Sequence, residues 1–225
     1  MNAGHLAIEA HEQSWPLDKP FRISRGIRTE ARVVVVTVTE GPHIGRGEAA
    51  PIRRYDQSPV SVLTQIESIK SRQKLDRQQT QKLLPAGAAR NALDCALWDL
   101  EAKISGKRAW ELAKIPIVHE VETSFTISLD TPAAMAAVAK ANATAPILKL
   151  KLGGDDLDLA RVGAVRGAAP VARLLIDANE SWTPDHYCNV VPSLRQFGIE
   201  LIEQPFPADA DKVRNTRSPY SGLRR

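Results

Sequence analysis

Residues 5–40 carry the alternating apolar and polar pattern that is typical of β-strands. The alternation is partial in residues 5–17, and residues 31–40 form a β-branched run. The charged stretch between them, residues 19–30, predicts a loop that joins two strands. We interpret the glycines of GRGEAAP, residues 45–51, as turn residues, since this stretch is too short to cradle a phosphate.

Helical periodicity replaces this alternation in residues 58–70 and 84–107. In the second segment, apolar side chains recur at every third or fourth position and form one face, and Gly106 is a stop signal. Strands followed by helices predict an α+β domain, which we place at residues 1–118. The apolar face comprises Ala89, Leu93, Ala96, Leu97 and Leu100.

From residue 119 onward, strand and helix patterns alternate strictly. Two predicted helices open with a Thr-Pro pair, at Thr131 and Thr183, and Pro192 predicts a kink in the last helix. Repeated β–α units specify a parallel sheet, so residues 119–225 are predicted to form an α/β domain, either an open doubly wound sheet or a barrel. The predicted strands are residues 123–129, 147–153, 173–180 and 199–207, and the predicted helices are residues 131–143, 155–168 and 183–198.

Composition narrows the classes of function. The net charge of +4 is spread along the chain, and its densest basic stretch, residues 213–225, holds a single aromatic residue, so no nucleic-acid partner is expected. No leader segment or membrane-length apolar stretch is evident, and we expect a cytoplasmic protein without a membrane partner. The two cysteines lack metal-ligand spacing, and Cys95 is expected to be a small buried thiol. The five histidines show no ligand spacing either and are interpreted as ordinary.

Three of the predicted parallel strands carry ionisable side chains near their carboxyl ends. Lys149 and Lys151 face the same side of one strand because they are two residues apart, and Asp177 and Asn179 do the same on the next. Glu203 lies one β–α unit beyond Asp177. In a barrel, the two carboxylates would therefore be neighbours at the C-terminal mouth, where catalytic residues collect.

These residue types suit a metal-assisted proton transfer. Two carboxylates and an amide are suitable ligands for an oxygen-seeking cation such as Mg²⁺. A lysine acts as a base only when its pKa falls, which burial and a like-charged neighbour both favour. A neutral lysine beside a divalent cation is equipped to remove a proton alpha to a carboxylate. The simpler interpretation, in which Lys149 pairs with Asp177 as an ordinary salt bridge, stays open.

The chain resembles the enolase superfamily, and within it the muconate-lactonising subgroup and its dipeptide epimerases of the L-Ala-D/L-Glu epimerase type. The resemblance is carried most specifically by LKLKLGG, IDANESW and IELIEQPFP, in this order. The stretches GRGEAAPIRRYDQSP, ALDCALWDLEAKISGK and TSFTISLDTP support it. It implies an N-terminal α+β capping domain, a TIM-type (β/α) barrel, Mg²⁺ as cofactor, and a dipeptide as small-molecule substrate.

Carried over by position, the resemblance implies a role for each strand-end residue. Lys151 would be the base on one face of the substrate, and Lys149 would lower its pKa and help to neutralise the substrate carboxylate. Asp177 and Glu203 would be the first two metal ligands, with Asn179 close by. The implied substrate-binding residues are Arg25, Tyr55 and Thr126.

The family pattern also needs a third carboxylate on a fifth strand and, in epimerases, a second lysine on a sixth. Only about four β–α units precede Arg225, so we expect an incomplete metal site and a chain that is inactive as truncated. A partial barrel exposes two sheet edges, which favours self-association into a homo-oligomer. The alternative functions are a cycloisomerase or o-succinylbenzoate-synthase-like enzyme of the same superfamily, and a non-catalytic fragment or interaction protein.

The composition of the last residues of the chain, 214–225, indicates a frameshift. Residues 214–225 contain one leucine and four arginines where the pattern requires the end of a helix and a strand. With suitable codons, the DNA read one base later encodes Ala-Thr-Leu-Ala-Arg-Arg-Ile-Pro-Val-Cys-Ala followed by Asp or Glu, which resembles those missing elements. We therefore place a frameshift near residues 212–214, in the gene or in its sequencing. Sequencing the locus is expected to reveal a shifted frame that continues the barrel, and the absence of such a frame contradicts the prediction.

Overall fold

The computed structural model describes residues 6–72, 75–117 and 119–210. Within these ranges the chain forms two compact units. One unit contains residues 6–17 and 30–119, and the other contains residues 18–29 and everything described from residue 120 onward. Each unit has its own cluster of buried apolar side chains. The predicted boundary after residue 118 stays a prediction, since that residue lies outside the described ranges.

Three strands, ordered β1-β2-β3, form the sheet at the start of the chain. They are β1 (Ala7–Ile23), β2 (Gly26–Glu40) and β3 (His43–Ala49), and β2 pairs with β3 in the antiparallel sense. The prediction of a loop at residues 19–30 is wrong. Both strands continue to a two-residue turn at Ser24 and Arg25, because most of this hairpin is exposed and strands there can carry charged side chains.

Four helices follow: α1 (Pro59–Glu67), α2 (Arg77–Leu83), α3 (Ala88–Ser105) and α4 (Ala109–Leu112). The predicted apolar face of α3 is confirmed, with Ala92 as a further buried member, and the helix ends at Gly106, whose φ is +66°. The prediction for Cys95 is wrong, because its thiol lies off this face and is exposed.

The glycines of β3 serve close packing. Gly45 and Gly47 lie inside the strand, so their interpretation as turn residues is wrong. A Cβ atom at either position would overlap the backbone carbonyl oxygen of Ala96 or Ala92 in α3. Glycine is therefore required where α3 lies directly against the strand.

The second unit has the predicted parallel sheet, with strands in the order β4-β5-β6-β7. Its α/β class is confirmed. Leu148, Leu150, Leu174, Ile176 and Ile202 project from one face of this sheet into the cluster that includes helix side chains. No helix in the described part of the chain combines the length and apolarity needed to cross a membrane. The elements are β4 (Ser124–Ile127), α5 (Pro132–Ala141), β5 (Ile147–Lys151), α6 (Asp158–Ala168), β6 (Arg173–Asp177), α7 (Pro184–Leu194, which contains Pro192) and β7 (Ile199–Glu203).

Candidate active site at the strand ends

Three ionisable side chains share one rung at the carboxyl ends of β5, β6 and β7. Lys151 is the register partner of Asp177, and Asp177 is the register partner of Glu203. Register partners in neighbouring strands project from the same face of a sheet. Lys149 precedes Lys151 by two residues and therefore projects from that face as well. The structure thus brings together the four charged side chains that were inferred from sequence spacing.

The two lysines are paired with the two carboxylates. Lys149 Nζ lies 2.5 Å from a carboxylate oxygen of Glu203 and 3.2 Å from one of Asp177. Lys151 Nζ lies 2.5 Å from the same oxygen of Asp177, whose side chain is only 2% exposed. These contacts offset the cost of removing the charges from water. The salt bridge between Lys149 and Asp177, left open as the simpler interpretation, is therefore present.

The ion pairs shift two pKa values. Burial disfavours the charged form of Lys149, but the hydrogen bond to Glu203 and the attraction of Asp177 outweigh it and raise the lysine pKa. Burial likewise disfavours ionised Asp177, yet hydrogen bonds from Lys151 and from the backbone of Asn179 lower the pKa of that carboxyl group. All these contacts favour the charged forms. For Lys149, these contacts oppose loss of the proton.

Asn179 lies in the loop that follows β6. Its backbone N–H donates to Asp177 Oδ1 at 2.9 Å. Its side-chain Oδ1 is buried and has no hydrogen-bond partner among the described residues, which leaves it available as an acceptor or ligand atom. Asn179, Glu180 and Gln204 have φ angles of +48°, +67° and +45°. Such backbone conformations are uncommon for residues other than glycine and asparagine, and strained residues are concentrated at functional sites.

The donor set fits a small divalent cation. Asp177 and Glu203 offer carboxylate oxygens and Asn179 an amide oxygen, and Mg²⁺ in proteins is bound through one or two carboxylates, with water or substrate completing the shell. The ammonium of Lys149 contacts both carboxylates, so the space between them accepts a positive charge. Across the described residues, no group of three or more His, Cys, Asp or Glu side chains could hold a metal ion.

The three predicted substrate-binding residues occupy different places. Thr126, on β4, is half-buried and is the register partner of Lys149, so it borders the charged face. Arg25 lies at the turn of the β1–β2 hairpin, in the same unit as the strand ends. Tyr55 belongs to the other unit, where it ends a 3₁₀ turn and is 62% exposed. Their contact with a substrate stays a prediction.

The tip of the β1–β2 hairpin contributes two side chains beside the strand ends. Arg25 Nη1 donates to the backbone oxygen of Asn179 at 2.5 Å and lies 3.6 Å from the carboxylate of Glu180. The ring centroid of Phe21 lies 6.0 Å from Lys151 Nζ, within range of a cation–π interaction. The predicted loop at residues 19–30 gives no signal for Phe21, whose position depends on the hairpin.

Two family models match the chain. The model described as "Mandelate racemase / muconate lactonizing enzyme, N-terminal domain" matches residues 6–113. The model described as "Enolase C-terminal domain-like" matches residues 133–222. The chain belongs to the mandelate racemase/muconate lactonizing enzyme family of the enolase superfamily. The resemblance inferred from the sequence motifs is confirmed, and so is the fold class of an N-terminal α+β domain followed by part of a (β/α) barrel.

Two curated relatives that the chain resembles are named for glutamate derivatives. The L-Ala-D/L-Glu epimerase of Escherichia coli (strain K12) is 43% identical over 208 residues, which are 91% of this chain and 64% of that protein. The N-acetyl-D-glutamate racemase of Pseudoalteromonas sp is 36% identical over 192 residues, which are 83% of this chain and 60% of that protein. The chain therefore spans less than two thirds of the length of these relatives.

Solved structures give the same family assignment. An enolase family member from Agrobacterium tumefaciens with homology to dipeptide epimerases, solved with sodium and L-Ala-L-Glu, is 44% identical and superimposes with a TM-score of 0.88 over 92% of this chain and 64% of that one. A dipeptide epimerase from Cytophaga hutchinsonii, solved with Mg and D-Ala-L-Val, is 26% identical with a TM-score of 0.82, over 93% of this chain and 62% of that one.

Sequence reasoning missed a partly buried polar cluster near the strand ends, which we call the Asp158 cluster. Asp158 and Arg161 are 1% and 5% exposed, and Arg161 Nη1 donates to Asp158 at 2.8 Å and to Asp155 at 2.5 Å. His186, interpreted as ordinary, lies 3.2 Å from Asp158. The available signal was an acidic residue three positions before an arginine, a spacing more often found on exposed helix surfaces. The cluster comprises Asp155, Asp158, Arg161, Trp182 and His186.

The Asp155→Asn variant is expected to lose less of its free energy of unfolding than the wild type as the pH falls into the acid range. The guanidinium of Arg161 lowers the pKa of Asp155, although partial burial opposes this. A carboxylate with a lowered folded-state pKa stabilises the fold above its unfolded pKa of about 3.9 and loses that contribution as pH falls through the folded value. Because the Asp155 side chain is 52% exposed, its contribution should be about 0.5 kcal/mol.

Denaturant unfolding of the wild type and this variant, from neutral pH down through the folded-state pKa, measures the effect. Asp156→Asn, a neighbouring exposed position, is the control and should retain the wild-type profile. Identical acid limbs in the wild type and the Asp155 variant would contradict the prediction.

Proposed function

We propose that the whole protein catalyses the magnesium-dependent epimerisation of dipeptides of the L-Ala-D/L-Glu type, at the carbon alpha to the terminal carboxylate. The observation that carries this proposal is the shared rung of Lys151, Asp177 and Glu203, with Lys149 on the same face. It is supported by the 43% identity to the L-Ala-D/L-Glu epimerase of Escherichia coli. The protein is then an isomerase that acts on amino-acid derivatives.

Each strand-end side chain has a role in this reaction. Lys151 removes the α-proton of the substrate and carries it on Nζ, and Lys149 helps to neutralise the substrate carboxylate. Asp177 and Glu203 would hold Mg²⁺, with Asn179 close by. When bound, Mg²⁺ stabilises the negative charge that develops on the carboxylate oxygens of the substrate.

Inversion of the α-carbon needs a second proton carrier on the opposite face of the substrate. Both lysines lie on β5 and project from the same side of the sheet. The described residues therefore supply the acid–base group for one face, and the proposal assigns the other face to residues outside them. The predicted inactivity of the 225-residue chain stays a prediction.

The substrate proposal follows from the relatives. The Escherichia coli and Pseudoalteromonas relatives are named for L-Ala-D/L-Glu and N-acetyl-D-glutamate, both glutamates whose amino group is acylated. We assign Arg25, Tyr55 and Thr126 to substrate binding. The Arg25 side chain is 42% exposed, so it can exchange Glu180 for a substrate carboxylate. The relatives favour this activity over a cycloisomerase or o-succinylbenzoate-synthase-like activity, while the cytoplasmic location and the homo-oligomer stay predictions.

Exchange of the α-proton of L-Ala-L-Glu in D₂O, followed by proton NMR, tests the role of Lys151. The whole protein is expected to exchange this proton, and Lys151→Met should slow exchange by at least about 100-fold because the base is lost. Lys140→Met, at an exposed position on α5, is the matched control and should keep the wild-type rate. A whole protein that exchanges the α-proton of no dipeptide would defeat the proposed function.

Calorimetry with MgCl₂ tests the metal site in the 225-residue chain. We expect weak binding, because the described residues bring two carboxylates together and each contacts an ammonium. Glu203→Gln should abolish the binding heat. Glu200→Gln, on the same strand but paired with Arg173, should leave it unchanged. Tight binding would contradict the expected incomplete site, whereas no binding at all would favour the non-catalytic interaction protein.

A further inference from the structure

The carboxylate of Asp158 joins the loops that follow β5 and β6. The backbone N–H groups of Gly153 and Gly154, just after β5, donate to its two oxygens at 3.0 and 2.9 Å. The indole N–H of Trp182, in the loop after β6, donates to Asp158 Oδ2 at 2.9 Å. One buried carboxylate therefore accepts hydrogen bonds from both of the loops that continue the lysine strand and the aspartate strand.

The same carboxylate reaches a third loop through Arg161. This guanidinium donates to Asp158 Oδ1 at 2.8 Å and, from Nε, to the backbone oxygen of Asp130 at 2.8 Å. Asp130 lies in the loop after β4. The pairing also satisfies the positive charge of Arg161 in a buried position, where an unpaired charge would be costly.

The loop after β6 is in turn hydrogen-bonded to the end of β7 and to the residues that follow it. The backbone N–H of Trp182 donates to the carbonyl oxygen of Pro205 at 2.9 Å, and that of Ala178 donates to Glu203 at 3.1 Å. The loops after β5 and β6 also touch closely, since a Cβ on Gly154 would come within 2.5 Å of the backbone oxygen of Ser181. The loops that follow all four strands are thus linked, directly or through one partner, to Asp158.

We propose that Asp158 is a positioning residue that fixes the loops after β5 and β6 against each other and thereby sets the spacing between Lys151 and Asp177. Lys151 is separated from Gly153 by one residue, and the backbone N–H of Leu152 between them donates to the carbonyl oxygen of Asp177 at 3.2 Å. Displacement of either loop therefore changes the relative positions of Lys151 and Asp177. The consequence for catalysis rests on the proposed function, whereas the structural coupling does not.

Backbone hydrogen exchange of the 225-residue chain, followed by NMR, tests the coupling without metal or substrate. Asp158→Asn keeps the size of the side chain but leaves one acceptor oxygen for its several donors. We expect the amides of Leu152 and Asn179 to exchange about tenfold faster, because the loss of hydrogen bonds to a buried carboxylate lowers the free energy of local opening. Asp156→Asn removes the same charge from an exposed position of the same loop and should leave both rates unchanged.

A spectroscopic signature separates this role from general stabilisation. The indole N–H resonance of Trp182, identified by its absence in Trp182→Phe, should move upfield in the Asp158 variant because its carboxylate acceptor is lost. If Asp158→Asn does not fold, Trp182→Phe serves instead, since it removes only one of the hydrogen-bond donors to Asp158. In that variant the Asn179 amide should exchange faster, while the amides of Gly153 and Gly154 stay protected. In the Asp158→Asn variant, faster amide exchange at Gly153 and Gly154 alone would overturn the proposal. An equal acceleration of amide exchange throughout β5 and β6 would overturn it as well.

Kinetics of the whole protein give the catalytic readout. Asp158→Asn should lower kcat about tenfold with little change in KM, because the base and the metal ligands are displaced relative to each other. An equal loss in the Asp156 control, or an unchanged kcat together with unchanged exchange rates, overturns the positioning role. A whole protein that acts on no dipeptide overturns the proposed function alone, since hydrogen exchange still reports the coupling.

Discussion

The lysines of β5 can be buried because carboxylates from the next two strands meet them on the same face. Parallel pairing aligns Lys151, Asp177 and Glu203 on one rung, and Lys149 contacts both acidic side chains. A slip of one residue between β5 and β6 would turn the lysines away from the carboxylates. An unpaired buried charge would then oppose folding. Strand register, charge balance and the position of the site are therefore one constraint.

This constraint also gives the carboxylates two alternative partners. The ammonium groups neutralise Asp177 and Glu203, and against the effect of burial this pairing raises the pKa of Lys149 and lowers that of Asp177. A divalent cation would use the same oxygens. The oxygens that balance the buried lysines are therefore the same ones that a metal would use, so stability and chemistry depend on one set of atoms.

Sequence spacing predicted the parts of the structure in which local pattern determines geometry. Apolar periodicity located α3, and the repeat of β–α units placed Lys149, Lys151, Asp177 and Glu203 together, because parallel strands convert a repeat along the chain into neighbours in space. The failures depend on contacts between distant segments. Gly45 and Gly47 are needed by a helix that follows much later in the chain, and buried Asp158 accepts a hydrogen bond from Trp182, which is distant along the chain.

The hairpin tip, residues 18–29, groups with the parallel sheet although the rest of that unit begins a hundred residues later. Its contacts include the hydrogen bond from the Leu129 N–H to the Arg22 oxygen at 3.0 Å and the bond from Arg25 to Asn179. A single recombination junction near Glu120 would therefore combine the tip of one parent with the strand ends of another. A chimaera of two relatives that differ in substrate therefore contains the complete sheet unit of one parent only if residues 18–29 come from that parent as well.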